Sequence, residues 1–505
     1  MIVVWARDFR RKSKRGSSLA GIIAVAKTPK RQKGEPALRT KCNPQRGLDF
    51  SGSHLKITNE YYAKYEAVSS TLDQAPDLVD RIHQDLEKPL QKLNRKTRQG
   101  RPYAYSSENV LRILVCQVVE GESLRGIVVR IDDSEFLRRF VRIGHGPMMD
   151  FTTLCKLKNA IRPETWAGIN RRLAQRAVRQ EWIEGDKLRL DTTAVETNVH
   201  YPTDSSLLWD VYRVLGRAID NTRTIAPEAV GPGRLQTGRA KRLQQRIVRV
   251  AASKRGATRK LKPLYRRLIR LVEDVSQWAR SVRNELAKRT HGGSVIDLAV
   301  LEGILQQIDH VLPLAARVVD QARRRVVQGE RVPNDEKLFS LFEPHTELLV
   351  RGKAGKPVEF GHMIQIQQVP GKFITDYEVF PKRPVESKLI DAALESHKEL
   401  FGAYPATLAT DKGYYESMDT IDHLQKKVAV VSIAKKGRRT EAETEREHEI
   451  LFRHGQRFRA GVEGTISFLK RILRLARCFT KGWKHFVSTV GQTIFAHNLL
   501  ILARC

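Results

Sequence analysis

The stretch "KLRLDTT", Lys187 to Thr193, decides the fold class of this sequence. Apolar and polar side chains alternate along it, which is the two-residue period of a β-strand with one buried face. Asp191 falls at the end of the predicted strand. Adjacent strand ends of a sheet can converge, so this acid is expected to meet polar groups from other strands.

Two further predicted strands lie much later in the chain. "FGHMIQIQQV" (Phe360–Val369) and "KFITDYEVF" (Lys372–Phe380) flank Pro370-Gly371, a dipeptide typical of a hairpin turn. This order of elements predicts an α/β fold around a mixed sheet. The remaining predicted elements are a helix (Ser387–Phe401), a short strand (Ala406–Thr410), an apolar strand (Val428–Ile433) and a helical segment from about Arg459.

Residues 53–180 are predicted to form a helical module before this core. Ser106 or Ser107 can cap a helix whose apolar residues recur at helical spacing. The module ends in a basic helix carrying Lys156 and Lys158. Short helices ending in a basic one resemble a helix-turn-helix module, which predicts DNA contact by these lysines. A plain helical bundle with a solvated basic face is the alternative.

A long basic insertion, residues 215–338, separates the first predicted strand from the second. From Arg234 to Arg270 there are fourteen Lys or Arg residues and no Asp or Glu. "RRLIRLVEDVSQWARSV" shows helical spacing, so the insertion is predicted to be all-α. We expect Arg266, Arg267 and Arg270 to contribute to a DNA clamp.

The composition indicates a polyanionic partner. Lys and Arg number 90 against 56 Asp and Glu, a formal net charge of +34, and the sequence pI is about 10.2. Such an excess is typical of proteins that bind DNA, RNA or an anionic membrane. The five cysteines include no CxxC pair, which argues against a zinc cluster and favours a reducing cytoplasm. No apolar run approaches the length of a membrane span.

The first 52 residues are basic and rich in Gly, Pro and Ser, and they predict a disordered arm. "LAGIIAVA" (Leu19–Ala26) follows several basic residues, so a signal peptide is an alternative. Its apolar core is at the short limit and Lys27 follows at once, so a cytoplasmic protein is the favoured prediction.

Three distant acids stand at the ends of predicted elements. Asp191 ends the first strand, Asp411 follows the strand Ala406–Thr410, and Glu463 is expected to open the last helix. Carboxylate oxygens are the ligands that Mg²⁺ prefers, and two such ions can promote phosphodiester cleavage. Each acid alone is more simply a turn former or a solvated group. Glu196 and His200 lie close enough to Asp191 to compete for the same role.

Four stretches together resemble bacterial insertion-sequence transposases of the DDE class. They are "DTTAVETNVHYPTDSSLLWD", "EFGHMIQIQ", "ATDKGYY" and "RFRAGVEGTISFLKR". The last resembles the signature Tyr-x2-Arg-x3-Glu-x6-Lys, with Arg459, Glu463 and Lys470 at the matching spacing and Gln456 at the Tyr position. Asp411 matches the second Asp motif, with Tyr414 at the usual aromatic position. The closing stretch from Lys481 also resembles the family's last helices.

The resemblance implies a ribonuclease-H-like catalytic core, residues 181–214 and 339–505. Asp191, Asp411 and Glu463 would hold two Mg²⁺ or Mn²⁺ ions for DNA cleavage and strand transfer. Arg459 and Lys470 would face phosphates, and Tyr414 would also contact DNA. The expected partners are the element's terminal inverted repeats and target DNA, held by a homodimer in a synaptic complex in the bacterial nucleoid. A nuclease of the same fold that does not join strands and a non-catalytic basic DNA-binding protein are the alternatives.

Overall fold

A seven-stranded mixed sheet lies at the centre of residues 60–505, which form one compact unit. The structure is a computed structural model that describes residues 55–93, 105–253, 257–288, 295–353 and 356–504, so the predicted arm 1–52 lies outside the described residues. The strands are β1 (Lys187–Thr197), β2 (Glu347–Lys353), β3 (Lys356–Gln368), β4 (Ile374–Val379), β5 (Thr407–Thr410), β6 (Val430–Ile433) and β7 (Arg477–Cys478).

The strand order is β2-β3-β1-β5-β6, with β4 also paired to β3 and β7 paired to β1. β3 runs antiparallel to β1, β2 and β4, whereas β5 runs parallel to β1 and β6 parallel to β5. The predicted hairpin is confirmed, with Gly371 at a φ of 74° in its turn. The mixed α/β architecture is thus confirmed, and it agrees with a ribonuclease-H-like core. β2 and β7 were not expected from the sequence.

Seven helices precede the sheet in the described part of the chain. The predicted cap is confirmed, because the Ser106 hydroxyl accepts from the Asn109 amide while the Asn109 side chain accepts from the Ser106 amide. The helices are α1 (Lys56–Asp73), α2 (Asp77–Leu93), α3 (Ser107–Val119), α4 (Leu124–Asp133), α5 (Glu135–Phe140), α6 (Phe151–Ala160) and α7 (Pro163–Arg179). The helix-turn-helix interpretation of this module stays a prediction.

The helical module and the sheet share one hydrophobic core. The last helix of the chain, α17 (Trp483–Leu502), packs against α3 and α7. The Gln492 amide donates to the Leu114 carbonyl over 2.9 Å, and the Asn170 amide donates to the Gly491 carbonyl over 3.0 Å. Because the contact surface is buried and hydrogen-bonded, the module is attached to the catalytic core as part of the same body.

The insertion is all-α, as the sequence predicts, and has its own apolar core. Its first helix begins at Asp204, so the expected boundary at residue 215 falls inside that helix. The side chains of Leu207, Leu208 and Val211 already pack in the insertion's core. Its helices are α8 (Asp204–Ile225), α9 (Pro227–Val230), α10 (Thr237–Ala251), α11 (Ala257–Ala287) and α12 (Val295–Ala322), followed by a π-helical turn (Arg323–Gln328).

Four helices connect and cover the second half of the sheet. α13 (Ile390–Phe401) and α14 (Met418–Gln425) pack over one face with the strand residues Leu188 and Leu408. α15 (Glu441–His448) leads into α16 (Ile450–Ser467), which contacts β1, β5 and β6. α16 continues as a π-helical turn, Phe468–Ile472, a form often found at functional sites.

Candidate active site

Asp191 and Asp411 lie side by side on two parallel segments of the sheet. Asp191 lies within β1, so the expectation that it ends the first strand is wrong: β1 continues to Thr197 because β3 and β7 pair with it beyond Asp191. Asp411 directly follows β5, as expected. The pairing of β1 with β5 sets Arg189 opposite Ala409, and each acid stands two residues further along its own chain. The Asp191 side chain is buried, with 6% of the residue exposed, whereas Asp411 is half-buried. One Asp411 oxygen accepts from the Gly413 amide over 2.9 Å, so the turn after β5 holds this carboxylate at the sheet edge.

The proximity of the two carboxylates changes the pKa of Asp191. Burial, followed by the charge of Asp411, raises this pKa from its ordinary 3.8 to about 7. The Arg459 guanidinium opposes the shift, and Glu386 adds to it. A buried acid beside a second acid is a poor place for negative charge unless a cation compensates it. The site is therefore built to attract positive charge.

Helix α16 provides that charge through Arg459. Arg459 Nη1 lies 3.0 Å from Glu463 Oε1, and Arg459 Nη2 lies 3.4 Å from Asp191 Oδ2. The guanidinium thus bridges the exposed Glu463 and the buried Asp191. Glu463 lies near the end of α16 rather than at its start, so the expectation that it opens the last helix is wrong. The helix begins earlier, at Ile450 directly after Glu449, and continues without interruption past Glu463.

Glycines bring α16 close to the sheet. A Cβ at Gly455 would overlap the Ser432 side chain, and a Cβ at Gly461 would overlap the Arg189 guanidinium. Gln456, at the Tyr position of the signature, donates to the carbonyls of Thr410 (3.3 Å) and Ser432 (2.7 Å). This departure from the signature therefore ties the helix to the strand end that precedes Asp411.

Arg189 is a structural residue that the sequence analysis missed. It is buried, and its guanidinium donates to the Gln368 side chain over 2.8 Å and to the Phe458 carbonyl over 2.5 Å. It thus joins β1, β3 and α16 two residues before Asp191. An Arg in an otherwise alternating strand was the available signal, but its partners are far away in sequence.

The donor types at the site fit a hard divalent cation, since carboxylate oxygens from Asp191, Asp411 and Glu463 are the available ligands. Among the described residues, however, no group of three or more His, Cys, Asp or Glu is already placed to hold a metal ion. The Arg459 guanidinium contacts both Asp191 and Glu463 in this structure.

The two competing residues near Asp191 are engaged elsewhere. Glu196 forms an ion pair of 2.9 Å with Arg477 on β7, which lies beside the far end of β1. His200 Nε2 lies 3.7 Å from Asp210, at the insertion's first helix. Neither contact involves Asp411 or α16, so the structure favours the Asp191 interpretation.

Two expected DNA contacts are corrected by burial. The Tyr414 side chain is 1% exposed, packs against the core beneath β5, and accepts from Gln365 over 3.2 Å. Lys158 is also buried; burial lowers its pKa to about 8, and its amine lies 3.4 Å from the Gln117 side chain. Both side chains are covered by neighbouring elements and contribute to packing. Neither can therefore reach a DNA surface. Lys156 is exposed and Lys470 is half-buried.

The three arginines of the insertion lie on one exposed surface. Arg266, Arg267 and Arg270 line a cleft between α10 and α11. Arg239 completes the basic lining. None of the three predicted arginines forms an ion pair with another residue that the structure describes. The cleft is therefore lined mainly by basic side chains, although Asp274 also lines it.

Comparison with known families identifies two transposase domains. A family model described as a transposase domain (DUF772) matches residues 61–160, and one described as a transposase DDE domain matches residues 351–499. Asp411 and Glu463 lie inside the second match, and Asp191 lies between the two. Searches of curated proteins and of solved structures found no match. Among the described residues, no helix is long and apolar enough to cross a membrane.

The two matches support a transposase of the DDE class from an insertion sequence. The matching DDE family implies metal-dependent DNA cleavage and transfer.

Proposed function

We propose that Asp191, Asp411 and Glu463 form the site at which this transposase cuts and joins DNA. The observation that carries the proposal is the meeting of β1, the end of β5 and α16: Asp191 and Asp411 stand side by side, and Arg459 links Asp191 to Glu463. Two Mg²⁺ or Mn²⁺ ions bound there would activate the attacking oxygen and stabilise the leaving one.

The side chains of the proposed site have different roles. Asp191 and Asp411 would hold the cations from the sheet, and Glu463 would add a carboxylate from the helix. Arg459, which contacts Asp191 and Glu463 here, would be available to bind a DNA phosphate where cations take over these carboxylates. Lys470 binds phosphate from the π-helical turn that follows α16. Guanidinium groups suit phosphate because they donate two parallel hydrogen bonds.

The basic surfaces hold the DNA. Lys156 on α6 and the arginines of the α10–α11 cleft bind the backbone of the element's terminal inverted repeats. Two copies of the chain bring two element ends together before target DNA is attacked. The net charge of +34 supports a polyanionic partner of this size. Such a substrate places the enzyme with the bacterial nucleoid in the cytoplasm.

The test is cleavage of a duplex that carries the element end, with binding measured in parallel by gel shift. Glu463→Gln keeps the size and helix propensity but removes a negative charge. Cleavage should collapse while binding persists or tightens, since repulsion of phosphate is reduced. Glu449→Gln is the matched control, because Glu449 is exposed and precedes the same helix.

Efficient cutting by Glu463→Gln together with a defective Glu449→Gln would show that the third acid is misassigned. A strand-transfer arm follows the joining of a 3′-hydroxyl end to a target plasmid. Cutting without joining would identify a nuclease of this fold, and binding without divalent-dependent cutting would identify a DNA-binding protein.

A further inference from the structure

Glu386 lies close to both Asp191 and Asp411, although no motif drew attention to it. It begins the 3-10 turn Glu386–Leu389 that leads into α13. The Thr192 hydroxyl donates to Glu386 Oε1, and Thr192 directly follows Asp191. The side chain is half-buried, so it is held at the site and not extended into solvent.

The other oxygen of Glu386 lies over the turn that follows Asp411. A Cβ at Gly413 would overlap Glu386 Oε2 and would also approach Asp411 Oδ1 to 3.1 Å. Gly413 has an ordinary negative φ, so backbone conformation does not require glycine here. An alanine at this position would instead require the Glu386 carboxylate, the end of a flexible side chain, to move. The same glycine donates its amide to Asp411.

One carboxylate therefore touches the residue after Asp191 and the residue two positions after Asp411. The simpler explanation is an acid in the first turn of a helical segment, where negative charge is generally favourable. That explanation accounts for neither the Thr192 hydrogen bond nor the missing Cβ at Gly413. It also ignores the cost of a third negative charge beside Asp191 and Asp411.

We propose that Glu386 is a positioning residue of the catalytic site, which holds Asp191 and Asp411 in register for divalent cations through Thr192 and Gly413. The inference rests on the proposed function of the three acids and deepens it. Outer residues that orient ligands commonly change metal affinity by about 10- to 100-fold. Glu386 should act on the affinity for metal more than on the maximal rate of cutting.

The test titrates Mn²⁺ against the full-length protein. Free Mn²⁺ is measured by electron paramagnetic resonance without DNA, and nicking of the element-end duplex is measured at each Mn²⁺ concentration. Glu386→Gln should raise the Mn²⁺ concentration for half-saturation about tenfold in both measurements, with a smaller effect on the maximal rate. Glu399→Gln is the control, because Glu399 is an exposed acid on α13 that pairs with Arg171.

Gly413→Ala tests the contact independently. The added Cβ should displace the Glu386 carboxylate and weaken Mn²⁺ binding in the same direction. In a Glu386→Ala background most of this loss should disappear, since the overlapping group is gone. Full additivity of the two substitutions would overturn the positioning role. So would a Glu386→Gln protein that melts at a lower temperature but binds Mn²⁺ normally.

Asp191→Asn, measured in parallel, distinguishes a failure of the proposed role of Glu386 from a failure of the proposed catalytic site. If Asp191→Asn abolishes Mn²⁺ binding and nicking while Glu386→Gln leaves both unchanged, only the role of Glu386 is wrong. If Asp191→Asn nicks normally, the proposed catalytic site is wrong and the role of Glu386 falls with it.

Discussion

The sheet core and the helical insertion use charge in opposite ways. In the core, Arg189 and Asp191 are buried, and each depends on partners from other elements. In the insertion, Arg266, Arg267 and Arg270 are exposed and line an open cleft. The difference shows two uses of charge in one strongly basic chain. A few buried charged side chains depend on the exact position of their partners, whereas many exposed ones act only through the sign of their charge.

The energetic reason is solvation. Burial lowers the pKa of Arg189 to about 10, yet hydrogen bonds to Gln368 and the Phe458 carbonyl keep the guanidinium satisfied. A buried charge is therefore specific, and loss of one partner is costly. Exposed arginines cost little, act over a Debye length, and are screened by salt. The following predictions test this contrast, from the largest expected effect to the smallest.

Asp191→Asn and Asp411→Asn should each reduce DNA cleavage by about 10³- to 10⁶-fold, as expected for residues that act as one unit. For the same reason, the double variant should be no worse than either single variant. Gel shifts with the element-end duplex should show unchanged binding. A double variant with the product of the two single losses would separate Asp191 and Asp411 into independent sites.

The affinity of the whole protein for DNA should depend strongly on salt. With roughly 6–10 phosphates neutralised, affinity should fall about 10³- to 10⁵-fold between 50 and 200 mM salt. Fluorescence anisotropy across a salt series measures the slope. A nearly flat response would remove the reason for assigning the basic surface to DNA.

Charge reversal of Arg266, Arg267 and Arg270 to Glu should weaken end binding and leave the sheet core folded. Loss of three phosphate contacts should reduce the slope of log affinity against log salt by about 2.7. Reversal of Arg280, an exposed arginine further along α11, is the control. Unchanged binding by the triple variant, with its melting temperature intact, would give the insertion a structural or dimerisation role.

Asp191→Asn should stabilise the metal-free protein at pH 8 but not at pH 4. The folded state keeps a proton on Asp191 up to about pH 7, whereas the unfolded chain loses it near 3.8. The wild-type carboxyl therefore lowers the free energy of unfolding as the pH rises from 3.8 to about 7. The full loss of stability is reached above this range. A gain in melting temperature of about 2–4 °C at pH 8 is expected.

The comparison uses Glu449→Gln, whose melting temperature should differ from the wild type by the same amount at both pH values. An equal gain for Asp191→Asn at pH 4 and pH 8 would show that the carboxyl titrates normally. The measurement is made with a chelator, so that bound cations do not hide the effect.

The sequence by itself determined the local structure and the class of the protein. Alternation in "KLRLDTT" predicted β1, and Pro370-Gly371 predicted the β3–β4 hairpin. Arg459 and Glu463 are four residues apart, a spacing that brings both to one face of α16, where they form an ion pair. These signals are local, since strand and helix periods are set by backbone geometry over a few residues.

Only the tertiary structure decided which groups share the site. Asp191 and Asp411 meet because β5 pairs in parallel with β1 in one register, and no local period encodes that pairing. Glu386 joins them through contacts with β1 and with the turn after β5, although its own sequence context is an ordinary helix start.

Burial was likewise decided by packing between elements. Lys158 and Tyr414 look like surface groups in the sequence, yet neighbouring elements cover both. The insertion begins at Asp204 because the first turns of α8 pack into the insertion's core, a boundary without a composition change to mark it. Composition predicts how much charge a chain carries, but the neighbours that fold against each side chain decide which charges can reach DNA.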